Sequence, residues 1–230
     1  MVRLKQNILD IKRRANAAAK RSGRNPDNIH IVAVTKNISS EKIQKAVDEG
    51  LVILGENRVQ EALTKFEAVK SDVQWHLIGH LQKNKVKRAI SMFSMIQSVD
   101  SMSLAEEINK RAKQIEQTID ILVQINIGRE KTKYGIDPDE AVNFLEGLAM
   151  LSNLNVKGLM AIAPFKQNPE EVRPYFRHLR EIFEIIKQKS IKNVHMDYLS
   201  MGMSGDFEVA IEEGANMIRI GTGIFGARTN

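Results

Sequence analysis

The most constraining feature of this chain is an alternation of short β-branched runs with longer amphipathic ones. Eight runs read as strands: residues 29–34, 52–54, 73–78, 95–99, 119–127, 156–162, 195–199 and 217–220. Helical patterns follow seven of them, at 41–49, 58–69, 83–90, 104–116, 138–148, 169–189 and 207–213. Parallel strands need helix-sized crossovers, so strict alternation predicts a parallel sheet. Several strands are nearly continuous apolar runs, as expected when both faces are covered. Eight such units predict a closed (β/α)8 barrel of the α/β class. No Gly-x-Gly-x-x-Gly turn follows the first strand, which argues against an open dinucleotide-binding sheet. A leading amphipathic helix over residues 4–21 carries Leu4, Ile8, Ile11, Ala15 and Ala18 at helical spacing, and Gly23 and Pro26 end it. After Ile220 too few residues remain for a full outer helix, so the leading helix is expected to fill part of that space. With 230 residues and no Pro/Gly/Ser-rich linker, residues 1–230 are read as one domain.

The chain has no cysteine, which removes disulfides, iron–sulfur clusters and thiol nucleophiles from consideration. No stretch approaches the ~20 apolar residues of a membrane span, and the N-terminus lacks an apolar signal core. A cytoplasmic location is therefore expected. The formal charge is +6, with basic clusters at Lys12-Arg13-Arg14, at 20–24 and at 83–88. No aromatic residue interleaves with them as a stacking platform requires, so they read as solvated helix faces rather than a nucleic-acid surface. Net positive charge also suits a phosphorylated ligand.

In a barrel, chemistry gathers at the carboxyl ends of the strands. The first strand ends in Val34-Thr35-Lys36. An amine at the end of an apolar strand is costly to desolvate, deprotonates readily and attacks carbonyls to form Schiff bases. The seventh and eighth strands lead into Ser200-Met201-Gly202-Met203-Ser204-Gly205 and Arg219-Ile220-Gly221-Thr222-Gly223. Glycine turns with hydroxyl neighbours at these two positions suit phosphate, although each turn alone is equally a simple loop closure. Ser204 is expected to cap the following helix. Arg219 needs a partner inside the barrel; it either donates to a ligand ring nitrogen or pairs with a carboxylate such as Glu208. An amine for an aldehyde plus turns for a phosphate point to pyridoxal phosphate. His76 and His80 straddle a strand end without Cys or clustered carboxylates, and no metal is expected.

These residues lie in segments that resemble the pyridoxal phosphate homeostasis protein family. The segments are 33–36, 55–61 (Gly55-Glu56-Asn57-Arg58-Val59-Gln60-Glu61), 76–85, 158–164, 199–204 and 219–226. The likeness spans essentially the whole chain. It implies a TIM barrel resembling the N-terminal domain of alanine racemase, with the extra leading helix. It implies pyridoxal phosphate held as an internal aldimine on Lys36, with phosphate contacts around Ser200, Ser204, Gly221 and Thr222 and with Met201 among the cofactor-binding residues. Arg219 would face the ring nitrogen and Asn57 would lie near the cofactor. The loop 128–135, with Lys131 and Lys133, resembles the family's lysine-bearing loop, without an assigned role.

The racemase relatives add a C-terminal β domain that supplies a catalytic Tyr. Here the chain is expected to lack it, ending about ten residues after the last strand. A guanidinium at the ring nitrogen also makes a poorer electron sink than Asp or Glu. Only Tyr134 offers itself as a base. The expectation is a non-catalytic monomer that buffers pyridoxal phosphate or delivers it to apo-enzymes, and thereby affects amino-acid and keto-acid balance. A weak amino-acid racemase is the alternative.

Overall fold

The computed structural model describes residues 2–130 and 132–227; Lys131 lies outside them. The strands are β1 (His30–Val34), β2 (Ile53–Glu56), β3 (Gln74–Leu77), β4 (Met95–Val99), β5 (Ile119–Ile125), β6 (Leu154–Ala161), β7 (Val194–Ser200) and β8 (Met217–Ile220). All pair in parallel in sequence order, and β8 returns to β1, giving a closed barrel. The helices are α1 (Val2–Arg21), α2 (Ser40–Asp48), α3 (Val59–Phe66), α4 (Val86–Ala89), α5 (Met102–Gln114), α6 (Ala141–Leu148), α7 (Arg173–Lys189), α8 (Phe207–Glu212) and α9 (Thr222–Phe225). The expected barrel is therefore present. The 83–90 pattern resolves into a 3-10 turn at Lys83–Lys85 and the single helical turn α4. Val86 and Ala89 are buried there while Lys83, Lys87 and Arg88 face solvent.

Strand alternation builds two cores. Val32, Met95, Leu122, Met160 and Met217 pack together inside the barrel. Their strand neighbours Ala33, Ile96, Ile121 and Ile218 pack outward against the helices. The same alternation decides where polar side chains go. His76, Gln97, Ser200 and Arg219 share the barrel interior, whereas Met201 turns into the outer hydrophobic shell. Thr35 and Glu56 fall on the outer face, beneath α3.

The leading helix covers the short eighth unit, as expected. Ile8, Ile11, Ala15, Ala18 and Ala19 are buried, and α1 packs on α8 and α9. Asn7 Nδ2 donates to the Ile224 carbonyl at 2.9 Å, and the Arg24 guanidinium closes the Ile211 and Ala215 carbonyls at 2.8 and 2.7 Å. Arg14–Glu208 and Arg21–Glu212, both at 2.8 Å, stitch the rim. Such part-exposed pairs contribute ~1 kcal/mol or less each, so the apolar face does most of the holding.

Gly158 marks the tightest backbone approach in the barrel wall. It has φ +144°, and a β-carbon there would overlap the Tyr198 carbonyl oxygen of the neighbouring strand. Gly158→Ala is expected to cost roughly 3 kcal/mol, or about 6–12 °C in Tm, because backbone rather than a flexible side chain must yield. Denaturant unfolding would measure it, and a loss below 1 kcal/mol would contradict this account.

Candidate functional site

The loops at the carboxyl ends of the strands enclose a cavity of about 370 Å³. Lys36, Ser204, Arg219, Gly221 and Thr222 all line it, joined by Lys133 and Asp206. Residues from the start, middle and end of the chain thus meet at one mouth because the barrel closes β8 on β1.

Lys36 projects from a tight turn. The Ile38 N–H donates to the Thr35 carbonyl at 3.0 Å, and Asn37 takes φ +60°. Asn tolerates that left-handed geometry better than most residues at the third turn position. Across the mouth, the two glycine turns are tied together: the Gly223 N–H donates to Ser204 Oγ at 3.1 Å. This corrects the expected cap, since α8 starts after Asp206 without a side-chain cap and Ser204 serves the neighbouring turn instead. Gly202, at φ +91°, lets the chain fold back under α8, where a β-carbon would press on Ala210.

Arg219 is 4% exposed. Its Nη1 donates to Ser200 Oγ at 2.7 Å and its Nη2 to the Ala161 carbonyl at 2.8 Å. The alternative pairing with Glu208 does not occur, because Glu208 lies outside the barrel on Arg14. Burial pulls the Arg219 guanidinium down to about 10, and Asp206 nearby opposes that pull. Burial in turn pushes the Asp206 carboxyl up, against a 2.6 Å hydrogen bond from the Met203 N–H. The mouth therefore holds a buried cation whose hydrogen bonds run to neutral groups.

Ser200 is fully buried and lies behind this cavity rather than on its lining. Its hydroxyl donates to Gln97 Oε1 at 2.7 Å while accepting from Arg219, and Gln97 Nε2 faces His76 Nδ1 at 2.9 Å. Ser200 is thus a relay between Arg219 and the barrel interior. Met201 is likewise fully buried. Asn57 lines a different cavity of about 530 Å³, with Arg58, His80, Lys85 and Tyr134. There His80 Nδ1 meets Asp100 Oδ2 at 2.9 Å, and the Tyr134 ring stacks on His80 with centroids 3.8 Å apart. Lys133 pairs with Glu130 at 2.5 Å.

A polar cluster absent from the sequence expectations sits directly behind Lys36. Lys65 Nζ donates to Glu56 Oε1 and the Thr35 carbonyl at 2.7 Å and to Glu61 Oε1 at 2.6 Å. The Glu61–Lys65 spacing of four and the acidic Glu56 at an apolar strand end were the available signals.

The amine at Lys36, the buried guanidinium and the paired glycine turns fit an aldehyde-bearing, phosphorylated aromatic cofactor. The family model for the alanine racemase N-terminal domain matches residues 3–229. The pyridoxal phosphate homeostasis protein of Aquifex aeolicus is 45% identical over 224 residues, covering 97% of each chain. PipY of Synechococcus elongatus PCC7942, solved with PLP bound, is 34% identical with a TM-score of 0.81, covering 93% of this chain and all of that one. Alanine racemase of Clostridium difficile 630, at 16% identity and TM-score 0.77, shares the fold over all of this chain and 58% of its own. By sequence and by fold, this chain belongs to the pyridoxal phosphate homeostasis protein family.

Proposed function

We propose that this chain binds pyridoxal phosphate reversibly through Lys36 and serves its buffering or delivery to apo-enzymes, as a cytoplasmic monomer without amino-acid chemistry of its own. The observation that carries this reading is the convergence of Lys36, Arg219 and the two tied glycine turns on one open cavity. PipY, a relative of nearly equal length, holds PLP. In the neutral form the Lys36 amine adds to the aldehyde carbon. A carbon–nitrogen double bond forms as the carbonyl oxygen leaves in water with both amine protons. The turns 203–205 and 221–223 would receive the phosphate, and Arg219 would face the ring nitrogen.

The cavity is better equipped to hold than to transform. Tyr134, the one expected base, lines the neighbouring cavities and not the one shared by Lys36 and Arg219. Proton removal at an α-carbon needs a base positioned over it. A guanidinium at the ring nitrogen would further weaken carbanion stabilisation. Among the described residues no helix is long and apolar enough to cross a membrane.

The test is borohydride reduction of the loaded protein, peptide mapping, and α-deuterium exchange on a panel of amino acids. The expected result is one reduced adduct on the Lys36 peptide and no exchange above the rate of free pyridoxal phosphate. An adduct confined to another lysine would overturn the attachment, and Lys36-dependent exchange would overturn the non-catalytic reading.

A further inference from the structure

We infer that Glu61, Lys65 and Glu56 form a polar clamp that presets the backbone of Lys36, making them positioning residues for the attachment amine. The inference rests on the proposed attachment at Lys36 and deepens it.

The geometry brackets one residue from both sides. On the N-terminal side, the Thr35 carbonyl accepts from Lys65 Nζ at 2.7 Å and from the Ile38 N–H at 3.0 Å. The Thr35 N–H is tied to the Gly55 carbonyl at 2.9 Å, and its hydroxyl donates to Glu56 Oε1 at 2.6 Å. On the C-terminal side, the Asn37 N–H donates to Glu61 Oε1 at 2.5 Å. Both peptide units flanking Lys36 therefore end on one ammonium–carboxylate cluster.

The cluster is built for rigidity. An ammonium has three donors, and Lys65 places all three, on Glu56, Glu61 and Thr35. Lys65 is thereby turned away from the mouth, its nitrogen held on three acceptors. Its side chain is 7% exposed and that of Glu56 is fully buried. Among the described residues Glu56 Oε2 has no hydrogen-bond partner. A buried pair with one unsatisfied oxygen is a poor stabilising device compared with apolar packing of the same volume. Its place directly behind the attachment turn is explained by what it holds. The energetic logic is preorganisation: an amine whose backbone is already fixed loses less freedom when it is captured.

The experiment times the appearance of label on the Lys36 peptide after the full-length protein is mixed with pyridoxal phosphate and quenched with borohydride. Glu61→Ala and Lys65→Met are compared with wild type, with Glu61→Gln, which keeps an acceptor, and with Ile108→Val, which trims the core on α5. Hydrogen exchange of residues 35–38 is followed in the same proteins without cofactor. Glu61→Ala and Lys65→Met should label at least tenfold more slowly, with tenfold faster exchange at 35–38. Glu61→Gln should recover most of the rate, and Ile108→Val should match wild type. If Lys65→Met fails to fold, the part-exposed Glu61→Ala carries the decision. Wild-type labelling rates in folded Glu61→Ala, or an equal slowing in Ile108→Val, would overturn the clamp and leave the attachment standing. A wild-type protein that takes no label at Lys36 would overturn both.

Discussion

Lys36→Ala protein mixed with pyridoxal phosphate is expected to show no visible band from a bound Schiff base and no borohydride-stable adduct, while keeping the wild-type unfolding midpoint within about 2 °C. The substitution removes the only proposed covalent link. It leaves intact the Thr35 and Asn37 contacts, which are backbone and neighbouring side-chain interactions. Residual binding through the glycine turns and Arg219 should remain, weakened by roughly 100-fold, or about 3 kcal/mol. Equilibrium dialysis would read the residual affinity. Other amines near the mouth are engaged elsewhere: Lys65 is locked in three hydrogen bonds, and Lys133 and Lys166, although both line the same cavity, pair with Glu130 and Glu171. A Lys36→Ala protein that keeps full visible absorbance would show that another lysine is the true attachment point.

The barrel was legible in the sequence because its signal is redundant. Eight β-branched runs, several of them covered on both faces, leave one economical closure, and small errors at element ends do not change it. Lys36 was legible for a related reason, since a cation ending a buried run violates the local pattern. The partners of Arg219 were not. Its side chain reaches across the interior to β6 and β7, so its neighbours follow from strand register, which periodicity does not reveal. Ser200 shows the same limit. The sequence places it in a phosphate-like turn, but the pleat points its hydroxyl inward, onto Gln97. Ser204 sits four residues further on, past the strand end, and faces the mouth. Asn57 follows β2 closely, yet its loop opens toward the His80 and Tyr134 cavity. The Lys65 cluster needed the docking of α3 on the end of β1, a tertiary fact with only a four-residue spacing to announce it.

Lowering the pH from 7 toward 4 is expected to cost up to about 3 kcal/mol of stability through His76 alone. The imidazole is 2% exposed, and burial, with a smaller contribution from His30, lowers its value to about 4 from an ordinary 6.5. In the unfolded chain His76 takes up its proton near 6.5, whereas in the barrel it resists until about 4. The stabilisation is therefore complete above pH 6.5, declines as the pH falls through that window and is gone below 4. At about 1.4 kcal/mol per unit, a separation of roughly two and a half units gives the figure above. The hydrogen bonds supply a second consequence. Gln97 Nε2 donates to His76 Nδ1, which leaves Gln97 Oε1 to accept from Ser200 and the Ser200 oxygen to accept from Arg219. A proton on Nδ1 makes both sides of the first contact donors. Gln97 must then turn its amide over, presenting nitrogen to Ser200, and the serine hydroxyl loses its acceptor. Acid should thus break the Ser200–Gln97 hydrogen bond behind Arg219 as well as weaken the fold. His76→Phe removes the titrating group and should flatten stability between pH 6.5 and 4, at a cost at neutral pH from the lost Gln97–His76 hydrogen bond, with Gln97 Nε2 left only its contact to Met217 Sδ at 3.1 Å. Denaturant unfolding across this range, with wild type and His76→Phe side by side, is the measurement. An equally steep fall in both proteins would assign the acid sensitivity to other groups and remove His76 from the account.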